Sequence, residues 1–187
     1  MDVLLLNGSP HEKGCTFTAL TEVKETLEKE GLSAEIVNIA KEGFTKEDVD
    51  RVATLALEAD GLIIGSPVWY ASSCGLSNYF LDLLFSKIGS KMRMKFGASV
   101  VSCRRGGASS TFDQLNKYFT ISQMPIVSSN YWNQVHGNTP EEVKQDVEGM
   151  QTMRILARNM AYLIKAVRSA ALPLGESEAK IKTNFIR

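Results

Sequence analysis

Five times along this chain a short apolar run of β type gives way to small polar residues and then to apolar residues at helical spacing. The runs fall at 3–6, 35–39, 61–64, 98–102 and 126–128. Phe17, Leu20, Val23 and Leu27 mark a first helix, which Gly31 stops. Thr45 can cap a second, with Asp48 in its first turn and Val49, Val52 and Leu55 facing inward. Leu76, Phe80, Leu83 and Leu84 mark a third, and Phe112, Leu115 and Phe119 a fourth. Thr139-Pro140-Glu141-Glu142 reads as an N-cap, a first-turn proline and a capping-box glutamate. Val143, Val147, Met150, Met153, Leu156, Met160, Leu163 and Val167 then recur every three or four residues, as one long last helix. Strands that alternate with helices form a parallel sheet whose two faces the helices bury. The expected fold is therefore a three-layer α/β sandwich around a five-stranded parallel sheet. Any ligand belongs outside the carboxyl ends of its strands.

A chain of 187 residues is one domain by length, and 171–187, which lose the helical period, read as a C-terminal extension. Lys plus Arg and Asp plus Glu both number 21, so there is no basic surplus to favour nucleic acid. No apolar run approaches the roughly 20 residues of a membrane helix. The first residues enter a strand at once, which is not the pattern of a signal peptide. Cys15, Cys74 and Cys103 lie far apart, a spacing of neither a disulfide framework nor a metal site. No metal is expected, and a reducing cytoplasm is the simplest setting.

The loops after the strands carry the chemistry. In the first, Gly8 and Gly14 let the backbone bend close to a ligand, and Ser9, Cys15 and Thr16 are small. Ser9 and Thr16 add hydroxyls ahead of a helix N-terminus, whose free N–H groups suit an anion. The loop is neither GxxxxGK[ST] nor GxGxxG, so it is neither a P-loop nor the dinucleotide fingerprint. It is the loop expected where the terminal phosphate of a mononucleotide sits; the plainer alternative is a surface turn. After the third strand, Trp69 and Tyr70 stand together before Ser72 and Ser73, either to pack on a planar heterocycle or to fill core or a subunit interface. After the fourth, Gly106 and Gly107 offer backbone N–H groups to a ring carbonyl. Arg104 and Arg105 either neutralise a reduced anionic ring or a substrate phosphate, or are solvated or lie between subunits. After the fifth, 129–137 is rich in aromatics and amides, as a lid would be. That loop holds His136, one of two histidines; the other, His11, reads as a loop residue.

Three stretches carry a family resemblance: LLLNGSPHEKGCT, ADGLIIGSPVWYASSCGLSNYFLD and VVSCRRGGASSTFDQLNKYFTISQMPIVSSNYWNQVHG. They resemble the flavodoxin-like NADPH-dependent FMN reductases, a superfamily that includes iron–sulfur flavoproteins and tetrameric NAD(P)H:quinone oxidoreductases. GSP-x-x-x-G-x-T together with GSPVWY is the specific part. With the strand alternation, the resemblance gives a flavodoxin-like sandwich of strand order 2-1-3-4-5. It implies FMN, bound non-covalently, with Ser9, Lys13, Cys15 and Thr16 at phosphate-loop positions. Pro67, Val68, Trp69 and Tyr70 are then ring positions, and the loop of Arg104, Gly106 and Gly107 closes the pyrimidine side. Cys15 stands where the family often has Asn or Ser. Iron–sulfur members carry clustered cysteines between the second strand and the next helix. Here residues 38–44 contain none, so no cluster is expected.

The activity implied is NAD(P)H-dependent two-electron reduction of a quinone, flavin or similar small aromatic acceptor, with NADPH or NADH as donor. The flavin supplies the hydride chemistry, and the protein supplies position and electrostatics. His136 is the candidate proton donor to a reduced quinone. A flavodoxin-type one-electron carrier is the alternative, although such carriers are strongly acidic and this chain has zero net charge. A non-catalytic FMN-binding protein is another. A homodimer or homotetramer is expected, because the aromatic loops exceed what one FMN can cover.

Overall fold

The computed structural model describes residues 1–179 and 181–183. The strands are β1 (Val3–Asn7), β2 (Ala34–Asn38), β3 (Gly61–Trp69), β4 (Ser72–Ser73), β5 (Phe96–Cys103) and β6 (Gln134–His136). Five of them form a parallel sheet in the order β2-β1-β3-β5-β6, with β4 paired to β3 off this path. In parallel strands this is the expected 2-1-3-4-5 arrangement. β1 is central, in register with Ala34 to Asn38 on one side and Gly61 to Gly65 on the other.

Burial on both faces explains why β1 is a continuous apolar run rather than an alternating one. Leu4 and Leu6 point into one core with Leu62, Ile64 and Val101. Val3 and Leu5 point into a second core with Ile63 and Val100. The first core is closed by α2 (Lys46–Glu58), α3 (Gly75–Ile88) and α4 (Ala108–Ile121). The second is closed by α1 (Cys15–Lys29), α5 (Pro140–Gln145) and α6 (Val147–Ala170). Each fully buried Leu or Ile contributes about 1.5–3 kcal/mol. The Thr45–Asp48 capping box starts α2 as the sequence indicates, and the left-handed Gly31 follows α1.

Three expectations need correction. The fifth strand is not the run at 126–128. Its lane beside β5 is shared by two pieces. Ile126 makes one isolated bridge to Gly97, the chain then swings out, and β6 rejoins beside Val101 to Cys103. Second, the third strand does not end at 64. It runs to Trp69 and turns back as a hairpin, pairing Val68 with Ser73 and Trp69 with Ser72. Third, the last helix is two. Asp146 separates α5 from α6 and caps α6 by accepting the Gly149 N–H at 2.9 Å. The break shifts the helical phase, so Val147 is 76% exposed instead of inward. Thr139 does cap α5, but Glu142 accepts the N–H of Asn138 rather than closing a reciprocal box. Residues 171–179 and 181–183 carry no regular secondary structure; 180 and 184–187 of the expected extension lie outside the described residues.

Candidate functional site

Three loops and the end of β6 meet the carboxyl edge of the sheet. In the β1–α1 loop, the Asn7 side chain sets the turn. Its Nδ2 donates to the Glu12 carbonyl and its Oδ1 accepts the Ser9 N–H, both at 3.2 Å. The Gly8 N–H donates to the Gly65 carbonyl at 2.8 Å. A Cβ on Gly8 would lie 2.7 Å from that oxygen, so only glycine allows the approach. α1 begins at Gly14 with no side-chain cap and no acid in its first turn. The N–H groups of Thr16 and Phe17 meet no acceptor among the described residues, and that of Cys15 faces only its own thiol; the first intrahelical bond is Thr18 N–H to Gly14. These unpaired donors carry the positive end of the helix dipole.

The expected phosphate-loop side chains divide. Ser9 is buried, and its Oγ accepts the His11 N–H, which leaves its own proton free to donate. Thr16 is engaged beneath the loop: its hydroxyl bonds the Ser102 hydroxyl at 2.8 Å, and it is 1% exposed. Cys15 points its thiol at the Gly137 carbonyl, 3.7 Å away. Burial pushes that thiol's pKa up, outweighing its own backbone N–H, with the Glu142 and Glu141 carboxylates adding to the rise. Lys13 is exposed and lines a groove between α1 and α5.

The β3–β4 hairpin carries the ring positions. Pro67 and Val68 are partly buried, Trp69 is 44% exposed and Tyr70 is wholly exposed. Its turn residues, Tyr70 and Ala71, have φ of 51° and 57°. A two-residue turn of that kind is normally made by Asn-Gly, so Tyr-Ala there is a strained choice. α4 holds it. The Gln114 carbonyl accepts the Ser72 hydroxyl at 2.7 Å and the Ser73 N–H at 3.0 Å, and Ser110 donates to the Ala71 carbonyl at 2.7 Å. Ser72 and Ser73 therefore brace the hairpin against α4. Gly107, at φ 92°, locks the opposite side: a Cβ there would lie 2.8 Å from the Ala71 Cα and 2.9 Å from Val68 Cγ1.

Arg104, Arg105 and Gly106 are exposed beside it, and neither arginine makes an ion pair among the described residues. The stretch 129–137 is not a loop after the fifth strand: 134–136 are β6, and Tyr131 and Trp132 precede it in the excursion from the sheet edge, half exposed, with ring centroids 4.9 Å apart. His136 ends β6, exposed. Its N–H donates to Asp146 at 2.6 Å, and its Nε2 lies 3.4 Å from Gln134 Nε2. The β1–α1 loop, the hairpin, the β5–α4 loop and His136 thus lie at the carboxyl edge, whereas Tyr131 and Trp132 stand to its side, ahead of β6. Asn7, Gln114 and Asp146 were missed. Asn7 had a signal, as the amide before a glycine where a strand ends. Gln114 has none, because its role comes from packing α4 against the hairpin.

Uncapped N–H donors, an uncommitted serine hydroxyl and an acid-free first helical turn fit a phosphate. Exposed aromatics on a braced hairpin fit a flat ring. Residues 1–139 match the family described as NADPH-dependent FMN reductase. The chain belongs to that family.

Membership makes it an FMN-dependent oxidoreductase. An iron–sulfur flavoprotein of Methanocaldococcus jannaschii is 27% identical over 192 residues, covering 90% of this chain and 100% of the relative. One of Archaeoglobus fulgidus is 23% identical over 198 residues, covering 90% and 98%. A WrbA-like flavodoxin from Agrobacterium tumefaciens superposes with a TM-score of 0.70 at 19% identity, covering 88% of this chain and 97% of that one. A flavone reductase gives 0.74 at 15% identity, covering 91% and 65%. These structures share the flavodoxin-like fold. The cluster in the names of these relatives does not fit this chain. Such clusters are ordinarily held by four cysteine thiolates, and the chain has three cysteines, in α1, ahead of α3 and in β5, with Cys74 and Cys103 buried.

Proposed function

We propose that the protein is an NAD(P)H-dependent reductase that passes two electrons to a quinone, flavin or similar small aromatic acceptor. The observation that carries this reading is the exposed Trp69–Tyr70 hairpin, held in a strained turn beside an uncapped helix N-terminus. Strain that the surrounding contacts must maintain points to use at that position. Bound FMN supplies the hydride chemistry. Ser9 and the first N–H groups of α1 bind its phosphate. Pro67, Val68, Trp69 and Tyr70 border its ring, and Arg104, Gly106 and Gly107 place cationic charge and backbone donors on the pyrimidine side. Tyr131 and Trp132 offer a second aromatic wall to a flat acceptor, which supports loose specificity. We assign His136 the delivery of a proton to the acceptor. The exposed aromatic surface supports a homodimer or homotetramer, and three free thiols suit a reducing cytoplasm.

The test is anaerobic stopped-flow of the FMN-loaded protein. NADPH or NADH should bleach the flavin absorbance, and menadione should restore it. His136→Ala should slow the menadione step by on the order of 10²–10⁴-fold, leaving the nicotinamide step unchanged. No bleaching with either nicotinamide would move the reading to a carrier or a binding protein.

A further inference from the structure

A groove of about 390 Å³ opens on the outer face of α1, where the β1–α1 loop meets α5. Its volume falls within the range of small-molecule sites. Lys13 lines it from the loop and Lys144 from α5, and Phe17, Pro140 and Met150 give it an apolar floor. Two glutamates also line it, and their charges decide what it can hold. Glu22 is neutralised by Arg154 at 2.7 Å. That leaves Glu25 alone against two ammonium groups, neither of which makes an ion pair among the described residues. Thr18 and Thr21 line the groove, but both hydroxyls donate to backbone carbonyls of their own helix, so the lysines are its main donors to a ligand. The groove starts at the first turn of α1, the same turn that presents free N–H groups to the cofactor phosphate. It belongs to neither the hairpin nor the β5–α4 loop.

We propose that this groove binds the adenosine 2′-phosphate end of the electron donor, so that Lys13 and Lys144 select NADPH over NADH. The inference rests on the nicotinamide-dependent reading above. A phosphate monoester carries about −1.5 to −2 charges at neutral pH. Lys13 and Lys144, from different elements, outweigh the one unpaired carboxylate of Glu25 and leave the groove net positive, while Phe17 gives it an aromatic wall for the adenine. NADH lacks this group and gains nothing from either lysine.

Two measurements on the FMN-loaded protein decide it. Titration with adenosine 2′,5′-bisphosphate and with AMP, followed by calorimetry, should show the bisphosphate binding more tightly. Lys144→Glu should remove that difference, and Lys29→Glu, at the far end of α1, should not. In steady state, Lys144→Glu should raise the KM for NADPH about tenfold or more, the scale of one lost charge-assisted contact. It should leave the KM for NADH, the kcat and the FMN affinity unchanged. Equal binding of the two nucleotides, while NADPH still reduces the flavin, would overturn the groove and leave the reductase standing. A preference for NADH that Glu25→Gln abolishes would also overturn it, since an acid that reads a free 2′-hydroxyl favours NADH. If neither nicotinamide reduces the flavin but the bisphosphate still binds through Lys144, the reductase reading fails and the phosphate site survives.

Discussion

Gly107→Ala tests whether the hairpin is held where the site needs it. Gly107 sits at φ 92°, and alanine in left-handed backbone is disfavoured by about 1–2 kcal/mol. Its Cβ would lie 2.8 Å from a backbone atom, the Cα of Ala71, and 2.9 Å from Val68 Cγ1. No rotamer change relieves a clash with backbone, so either the hairpin or the β5–α4 loop must move. Overpacking of this kind costs about 1–3 kcal/mol. The sum, about 2–5 kcal/mol, corresponds to a Tm lower by about 4–20 °C in a chain of this length. Gly106→Ala is the control: a Cβ there meets nothing within 4 Å, so its effect should stay within about 0.5 kcal/mol. Urea denaturation of both variants, paired with FMN titration by fluorescence quenching, gives stability and site together. Gly107→Ala should lose both stability and FMN affinity, because the hairpin carries Trp69 and Tyr70. If the two variants prove equally stable, the close packing of loop on hairpin is wrong. If Gly107→Ala unfolds more easily yet binds FMN as tightly as wild type, the hairpin does not border the ring.

Ser9→Ala and Thr16→Ala should separate, although they lie on one loop. Ser9→Ala should weaken FMN by about 1.5–3 kcal/mol in titration with little change in Tm. Thr16→Ala, which orphans the buried Ser102 hydroxyl, should lower stability by about 1–3 kcal/mol instead. Asp2 gives a pH prediction. The Ser33 hydroxyl first, then the Arg168 guanidinium, outweigh desolvation and lower its pKa from 3.8 to about 2. A carboxyl depressed by folding stabilises above its unfolded pKa, and that contribution is lost as pH falls from about 4 through about 2. Urea midpoints should therefore fall more steeply across this window in wild type than in Asp2→Asn.

The strand–helix alternation was legible because β1 and the first part of β3 are buried on both faces and write that burial as short apolar runs, while β5 is buried throughout but interrupted by Gly97, Ser99 and Ser102. β6 escaped because Gln134-Val135-His136 is a three-residue edge strand with one buried residue, while the apolar run at 126–128 touches the sheet at a single bridge. The β3–β4 hairpin escaped because its turn uses Tyr-Ala, without the glycine that marks such turns. The split of the last helix was hidden by apolar spacing that continues across Asp146. Within the site, Ser9 could be read from its place before a helix. The engagement of Thr16 by Ser102 could not, since it depends on how closely α1 packs on the sheet: a Cβ on Gly65 would lie 2.9 Å from Thr16 Cγ2.

The most direct measurement compares FMN with riboflavin on the apo-protein, in wild type and Ser9→Ala, by fluorescence titration. The two ligands differ only in the phosphate. If the phosphate sits on the β1–α1 loop, wild type should bind FMN at least tenfold more tightly than riboflavin. Ser9→Ala should shrink that gap and leave riboflavin affinity unchanged. Equal affinity for the two ligands in wild type would contradict the placement of the cofactor on which the account of the site depends.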